Sequence, residues 1–433
     1  MTPSDIESSR DLTNVLRRRW YVLATLALVY ALNIADRFVM STLIEPIKAE
    51  LQLSDSAVAF LTGVALAVFY VCAGLPLATL ADRTNRRNMV AAALGTWSIM
   101  TAACGLAQSY WQLLLCRLGV GVGEAGGTPP SHSLISDCFP WRERAFALSV
   151  FAVGASAGSM LGSSAGYISD AWGWRSALMV LGLPGVVCAL TILATVREPQ
   201  RGRLDAAAPS SLKSSLLDTW HFARTQRALL HSWAGGTVFT LWAWGLMWWT
   251  PSYLVRSHHM TLGAAGGALS LMHGLGGTAV LLLTSILMTR LARLDARAVP
   301  LFLVGAICVG TIPSVIAYST SSTTLALGML WIFIPMSYAN FGPTFALVQN
   351  LVPARMRAQA SALLLFFANL ANLVVAPQVI GAASDALVTH YGVESLRVAL
   401  MPLTLTGLWS AYHYWAATRS LRSDLLRAGN VSE

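Results

Sequence analysis

The string P-x-R-x-R-A-x-A occurs once in each half of the chain. Its first copy is Pro140, Arg142, Arg144, Ala145 and Ala147; its second is Pro353, Arg355, Arg357, Ala358 and Ala360, 213 residues later in a chain of 433. Each copy opens an apolar stretch that ends in G-x-x-S-D, as Gly166, Ser169 and Asp170 and as Gly381, Ser384 and Asp385. The second offset is 215, so the later half holds two extra residues between its strings. Two strings repeated in the same order, half a chain apart, imply duplication of one large unit, and the fold must consist of two like halves.

The composition says what kind of unit is duplicated. Hydrophobic residues make up 55% and charged residues 11%, against about 25% charged in a soluble domain. The charges fall in short strings between apolar runs long enough to cross a bilayer as helices. Twelve runs follow: 20–44, 56–80, 88–107, 110–137, 143–169, 175–196, 229–254, 263–289, 298–318, 323–350, 355–388 and 395–418. The expected fold is an all-α integral membrane protein with twelve transmembrane helices in two pseudo-symmetric six-helix bundles. Parallel six-helix repeats are a known architecture of secondary transporters. The expected division is a tail over 1–19, a bundle over 20–196, a linker over 197–228, a bundle over 229–418 and a tail over 419–433.

Basic residues set the orientation. Of the 29, 23 fall on the side holding both termini, 4 on the other side, and Arg37 and Arg117 lie within runs. Both termini are therefore expected in the cytoplasm, in a bacterial plasma membrane. The net charge of +9 reads as topology rather than as a nucleic-acid footprint, which would need a basic stripe on a soluble face. Arg17, Arg18 and Arg19 precede the first run without a small-residue cleavage site, so that run reads as a helix rather than a removable signal. The six cysteines show no C-x-x-C and are expected to serve packing. No metal site and no cofactor other than a coupling proton is expected. The linker, with Leu212, Leu216, Leu217 and Trp220 at helical spacing, reads as an amphipathic helix at the membrane surface.

Two strings imitate soluble-enzyme motifs. Gly154-Ala-Ser156-Ala-Gly158 has the form of a hydrolase elbow, and Gly119-Val-Gly121-Val-Gly123 of half a dinucleotide loop, but neither follows a strand. The first belongs to the series Gly154, Gly158, Gly162 and Gly166, a flat helix face for close packing in lipid. His258 and His259 lack partners at metal spacing and read as a solvated pair.

Charges within the apolar runs carry the functional information. Asp36 and Arg37 lie inside the first run; Arg117 and Glu124 lie seven residues apart in the fourth, on nearly one helix face. Each costs about 2.5–3.5 kcal/mol at mid-membrane on insertion scales, so they must pair or face a cavity. At about 1.5 Å per residue, Asp36 and Arg117 fall at similar depth. A carboxylate beside an arginine has two states: ionised, it holds the arginine; protonated, it frees the arginine for an anion. That exchange would couple protons to a substrate. A permanent Asp36–Arg117 or Arg37–Glu124 bridge that only fixes packing is the plainer reading of the same residues.

Here the chain resembles a known family. Ala81 to Arg87, A-D-R-T-N-R-R, is similar to the signature loop G-x-x-x-D-R-x-G-R-R of the major facilitator superfamily. Asp82, Arg83, Arg86 and Arg87 match, Ala78 replaces the first glycine, and Asn85 replaces the second, where asparagine tolerates a left-handed conformation. Within that superfamily, N-x-x-D-R-F (Asn33 to Phe38) and R-L-G-V-G-V-G-E-A (Arg117 to Ala125) resemble the spinster-like branch, with support from Trp249, Pro251, Pro343 and Gln349. The resemblance implies proton-linked carriage of amphipathic lipids such as lysophospholipids, with Asp36 and Glu124 as proton-coupling residues. It departs at Gly126-Gly127-Thr128-Pro129-Pro130, which is unusually glycine-rich. It also implies a cytoplasmic gate in which Asp82 docks near Arg355, at the start of the eleventh helix, while Arg86 and Arg87 reach Asp137 or Glu143; Arg83 and Arg142 belong to the same cluster.

The second half has no acid at mid-membrane. Its seventh run holds Trp233, Trp242, Trp244, Trp248 and Trp249. Trp248 and Trp249 are expected in an interfacial belt, and Trp242, deeper, as a candidate cavity-lining residue. His273, Asn340 and Asn369 complete the candidate substrate residues with Arg37 and Arg117. The combined expectation is a monomeric, proton-coupled carrier of an amphipathic, anionic small molecule in contact with membrane lipid, working by rocker-type alternating access and not an enzyme. A carrier of small organic or aromatic anions, or a drug exporter, is the alternative.

Overall fold

The computed structural model describes residues 3–68, 73, 76–77, 80, 83–199, 201, 215–291 and 295–429. Among them the only regular structure is helical. The chain forms two compact units, one of Met1–Leu51 with Ala65–Pro209, the other of Gln52–Val64 with Ser210–Glu433.

In the first unit the helices are α1 (Pro3–Thr42) and α2 (Ile44–Leu51), then α4 (Arg86–Cys104), α5 (Tyr110–Ala125), α6 (Thr128–Cys138), α7 (Trp141–Ser163) and α8 (Ala165–Thr195). Between α2 and α4, α3 (Asp55–Ala59) and the π turn Phe60–Val64 belong to the second unit. The tightest seam joins α1 and α7. A Cβ on Gly154, Gly158 or Gly162 would lie 2.6, 2.3 or 2.5 Å from the carbonyl oxygens of Ala27, Ala31 and Ala35. Glycine every fourth residue thus brings two backbones into contact, the only packing gain open to helices whose solvent is hydrocarbon. The G-x-G-x-G string of α5 works similarly: a Cβ on Gly121 would meet the Leu66 carbonyl at 2.8 Å and one on Gly123 the Trp97 backbone at 2.7 Å.

The fourth apolar run is not one helix. It breaks at Gly126 and Gly127 and restarts as α6 with Pro129 and Pro130 in its first turn, where missing N–H groups cost nothing. α8 kinks at Gly173, whose φ of +80° suits glycine. A clasp surrounds the kink: Trp174 donates to Glu50 at 2.6 Å, and Arg175 donates to Glu50 at 2.5 Å and to the Ala107 carbonyl at 2.8 Å. The Arg175 bond, then the Trp174 bond, hold the Glu50 carboxyl below its ordinary range. The clasp is fully present above the ordinary carboxylate range and is lost as pH falls through the lowered value.

The second unit adds α9 (Leu216–Ala223), α10 (Arg227–His258), α11 (Leu262–Leu271), α12 (Thr278–Leu291), α13 (Ala298–Ser319), α14 (Thr323–Ser337), α15 (Phe341–Asn350), α16 (Arg357–Asn369), α17 (Ala376–Tyr391), α18 (Ser395–Thr404) and α19 (Thr406–Arg427). π turns Met272–Gly277 and Leu370–Val375 join α11 to α12 and α16 to α17. The linker helix α9 opens on a capping box between Ser215 and Asp218, and its Trp220 stacks on Trp233 of α10 at 6.2 Å. Among the described residues seven segments are long and apolar enough to cross a membrane, the last, 357–427, taking in two successive spans. The second, third, fourth and seventh runs fall outside that set; the fourth carries Arg117 and Glu124 and the seventh five tryptophans.

The second G-x-x-S-D string binds the start of α3. Asp385 accepts from the backbone N–H groups of Asp55 and Ser56 at 2.8 and 2.9 Å. Ser384 donates to Asp55 at 2.7 Å, and a Cβ on Gly381 would lie 2.8 Å from the Asp55 carbonyl. Arg256 holds both Asp55 carboxylate oxygens, at 2.6 and 2.8 Å. The string is therefore a cradle for a helix N-terminus: glycine for approach, aspartate for the unpaired N–H donors and serine for the Asp55 carboxylate.

Candidate functional site

The glycine seam fixes where α1 presents its charges, because Gly162 abuts Ala35 and Phe38 on either side of them. Asp36 is 5% exposed and Arg117 and Glu124 are fully buried. Arg117 donates to Asp36 Oδ2 at 2.8 Å. The Thr101 hydroxyl of α4 donates to Asp36 Oδ1. Arg37 directs Nε and Nη2 to a single Glu124 oxygen, Oε2, at 3.0 and 2.7 Å. Both pairs expected from the sequence thus form between two successive residues of α1 and two residues of α5.

The pairs leave hydrogen-bonding capacity unused. Arg117 Nε and Nη2 and Glu124 Oε1 are buried without a partner. Such groups are costly in a dry interior, and here they lie two turns apart on α5. Asn33, one turn before Asp36, lines a pocket of about 180 Å³ with Tyr30, Trp97, Thr128, Ser131 and Phe151. The break at Gly126–Gly127 helps open it, since Gly127 lies under the Trp97 ring. Thr101 was not legible beforehand: a threonine in an apolar run is indistinguishable from a packing residue until its neighbour is known.

In the second unit the candidates gather at helix interruptions. His273 lies in the π turn 272–277, buried, within 3.0 Å of the Tyr338 hydroxyl. Asn340 sits in the break between α14 and α15, where it accepts from Thr344 at 2.9 Å and its amide nitrogen is buried without a partner. Asn369 ends α16, just before the π turn 370–375, and is half-buried. Widened or broken turns at membrane depth are tolerated where backbone groups find partners within protein or water. Trp242 lies in the interior of the unit, 1% exposed, against Phe239 and Phe333. The belt expected for Trp248 and Trp249 is not there: they are 6% and 0% exposed. They pack inside the unit, and the exposed tryptophans lie elsewhere, at Trp20, Trp111, Trp172, Trp409 and Trp415 among others.

The signature loop forms a charged knot within the first unit. Arg86, 2% exposed, donates to Asp137 at 2.5 Å, Glu198 at 2.8 Å, Ser133 at 2.8 Å and the Pro199 carbonyl at 3.1 Å. Burial works against its charge, but Glu198 and Asp137 together hold the guanidinium more strongly protonated than usual. Arg87 reaches neither Asp137 nor Glu143; its backbone N–H binds Glu198 at 2.9 Å and its side chain the Val196 carbonyl and Asn88. Glu143 pairs with Arg19 at 2.9 Å. Glu198, in the R-E-P-Q string after the sixth run, was missed as a partner because it lies 112 residues from Arg86. Asn85 departs from expectation too: it caps α4 with φ of −71°, accepting from the Asn88 N–H, not in a left-handed conformation. Arg83 and Arg355 are exposed. Asp82 and the side chain of Arg142 lie outside the described residues. Arg86→Ala strands two carboxylates, one of them buried, and is expected to destabilise the protein by about 3 kcal/mol, read as a lowered melting temperature in detergent; an unchanged melt would show that the knot does not stabilise the fold.

Buried ion pairs inside an apolar, duplicated, all-helical chain are features of a membrane transporter. A profile of the Major Facilitator Superfamily matches residues 26–376, and the chain belongs to that family. Within it the chain is spinster-like. It is 34% identical over 420 residues to an "MFS-type efflux pump" of Mycolicibacterium smegmatis, covering 95% of each chain. It is 28% identical over 389 residues to the "Sphingosine-1-phosphate transporter SPNS2" of Danio rerio, covering 84% of this chain and 76% of that one. A crystal structure of a bacterial homolog of the human lysosomal transporter Spinster, inward-facing and unoccupied, superposes with a TM-score of 0.82 at 25% identity, over 94% of this chain and 98% of that one.

Proposed function

We propose that this transporter couples proton movement to carriage of an amphipathic anion, such as a lysophospholipid or related lipid, by alternating access. The observation that carries the reading is the double pair Asp36–Arg117 and Arg37–Glu124, sealed in apolar surroundings with donors of Arg117 unused. Protonation of Asp36 or Glu124 releases its arginine, and the freed fork takes a phosphate or carboxylate. The likeness to a protein named as a sphingosine-1-phosphate transporter supports a lipid phosphate. Asn340, His273 and Asn369 serve the remainder of the ligand, and no metal or organic cofactor takes part. The protein works as a monomer in contact with lipid, in a bacterial plasma membrane with both termini cytoplasmic. Asp82, Arg83, Arg86, Arg87, Asp137, Arg142 and Arg355 form its cytoplasmic gate.

Uptake of lysophospholipid into proteoliposomes under an imposed pH gradient tests this reading. Arg117→Lys keeps the charge but loses the fork and is expected to weaken binding about tenfold, the worth of roughly one charge-assisted hydrogen bond. Best transport of a neutral or cationic compound, undiminished in Arg117→Ala, would overturn the anion reading. Export of amphipathic drugs is the second reading, favoured by the 34% identity to a protein named as an efflux pump; drug-driven proton release from the same vesicles distinguishes the two.

A further inference from the structure

The α4–α5 hairpin brings two cysteines together beside the charged pairs. Cys104 is the last residue of α4 and is fully buried; Cys116 lies two turns into α5 and is half-buried. The antiparallel register of the hairpin brings them to one level: a Cβ on Gly119 would meet the Met100 side chain at 2.8 Å and one on Gly123 the Trp97 backbone at 2.7 Å, and the same register continued sets Cys116 opposite Cys104. Their positions are not incidental to the site. Thr101, which holds Asp36 Oδ1, is one turn before Cys104 on α4, and Arg117, which holds Asp36 Oδ2, is the residue after Cys116 on α5. A single dithiol therefore spans the two helices that grip Asp36. From sequence alone these cysteines read as packing residues, because no C-x-x-C links them and their meeting depends on the hairpin.

We propose that Cys104 and Cys116 form a redox-active dithiol that closes to a disulfide under a peroxide. The more exposed Cys116 sulfur attacks one peroxide oxygen, the O–O bond breaks, and water leaves, giving a sulfenic acid. The buried Cys104 sulfur then attacks the Cys116 sulfur; the S–S bond forms, the S–O bond breaks and a second water leaves. Two thiols and one hydrogen peroxide become one disulfide and two waters, the peroxide taking both electrons. The closed bond, about 2.0 Å between sulfurs, draws the end of α4 against α5 and fixes Thr101 relative to Arg117. The consequence for transport rests on the proton-coupling reading above: with its clamp locked, Asp36 no longer exchanges partners freely.

The test treats purified protein with hydrogen peroxide, then counts alkylatable thiols by mass after denaturation. Of the six cysteines, four are expected to remain reactive, peptide mapping is expected to join Cys104 to Cys116, and a phosphine is expected to restore the count. Cys104→Ser and Cys116→Ser should each abolish the joined peptide. Six reactive thiols after treatment, sulfinic acid without a joined peptide, or a disulfide elsewhere would overturn the proposal. In proteoliposomes the oxidised wild type is expected to lose pH-driven uptake several-fold, with recovery on reduction and no loss in Cys116→Ser. Disulfide formation with unchanged uptake would overturn control of transport by the dithiol, whereas failure of reduced wild type to respond to a pH gradient would count against proton coupling itself.

Discussion

In Asp36→Asn, accumulation driven by a pH gradient is expected to fall to the level of vesicles without a gradient, while exchange of labelled for unlabelled substrate persists. The amide copies the shape of the protonated acid and still accepts from Thr101 or Arg117, so the site stays assembled but loses its titrating proton. The same change removes the charge pairing of Arg117 with Asp36, and Arg117 is fully buried. Breaking a buried pair costs about 3–5 kcal/mol, and the retained hydrogen bonds offset part of it. A lowered melting temperature is therefore expected together with the transport defect. Normal gradient-driven accumulation in Asp36→Asn would remove Asp36 from the coupling role. Glu124→Gln should have a milder effect, because Arg37 is partly exposed and can turn to water.

The second large effect is expected at the α1–α7 seam. Gly158→Leu places a side chain where even a Cβ would lie 2.3 Å from the Ala31 carbonyl and 2.7 Å from the Ile34 Cβ. Neither neighbour is the end of a flexible side chain, so the helices must separate. Overpacking in a rigid core costs about 1–3 kcal/mol for a few methylenes, and a forced backbone shift should exceed that. Folded protein on size-exclusion chromatography is expected to be largely lost, whereas Gly305→Ala and Gly328→Ala, with nothing within 4 Å of the new carbon, should leave yield unchanged. A monodisperse Gly158→Leu protein with wild-type melting would show that the seam can open without cost.

The duplicated strings, the apolar runs and the buried charges were legible because each follows from composition or spacing along one helix. Asp36 and Arg117 could be matched by depth, since a helix in a bilayer has a fixed rise and a fixed thickness to cross. Long-range partners were not legible. Thr101, Glu198 and the Cys104–Cys116 juxtaposition depend on which helices neighbour one another, and nothing local marks a threonine, a glutamate or a cysteine as the one chosen. Trp248 and Trp249 misled for a related reason: an aromatic near a helix end suits an interface or a tightly packed interior equally, and only the neighbours decide. The π turns at 60–64, 272–277 and 370–375 were also silent, because a widened turn keeps the apolar pattern on either side of it.

That last π turn bears on how the two halves drifted apart. The later half carries two residues more than the earlier one between Ala360 and Gly381. Added to an unbroken α-helix, two residues would swing everything downstream by more than half a turn, carrying Gly381, Ser384 and Asp385 off the face that cradles Asp55. A π turn bonds five residues apart rather than four, and the one at 370–375 lies between the two strings. It takes up part of the surplus locally and spares the far end of the helix its rotation. Change of length in a gene, usually absorbed by loops, has here a place to go inside a spanning helix, and His273 and Asn369 lie at two such elastic points.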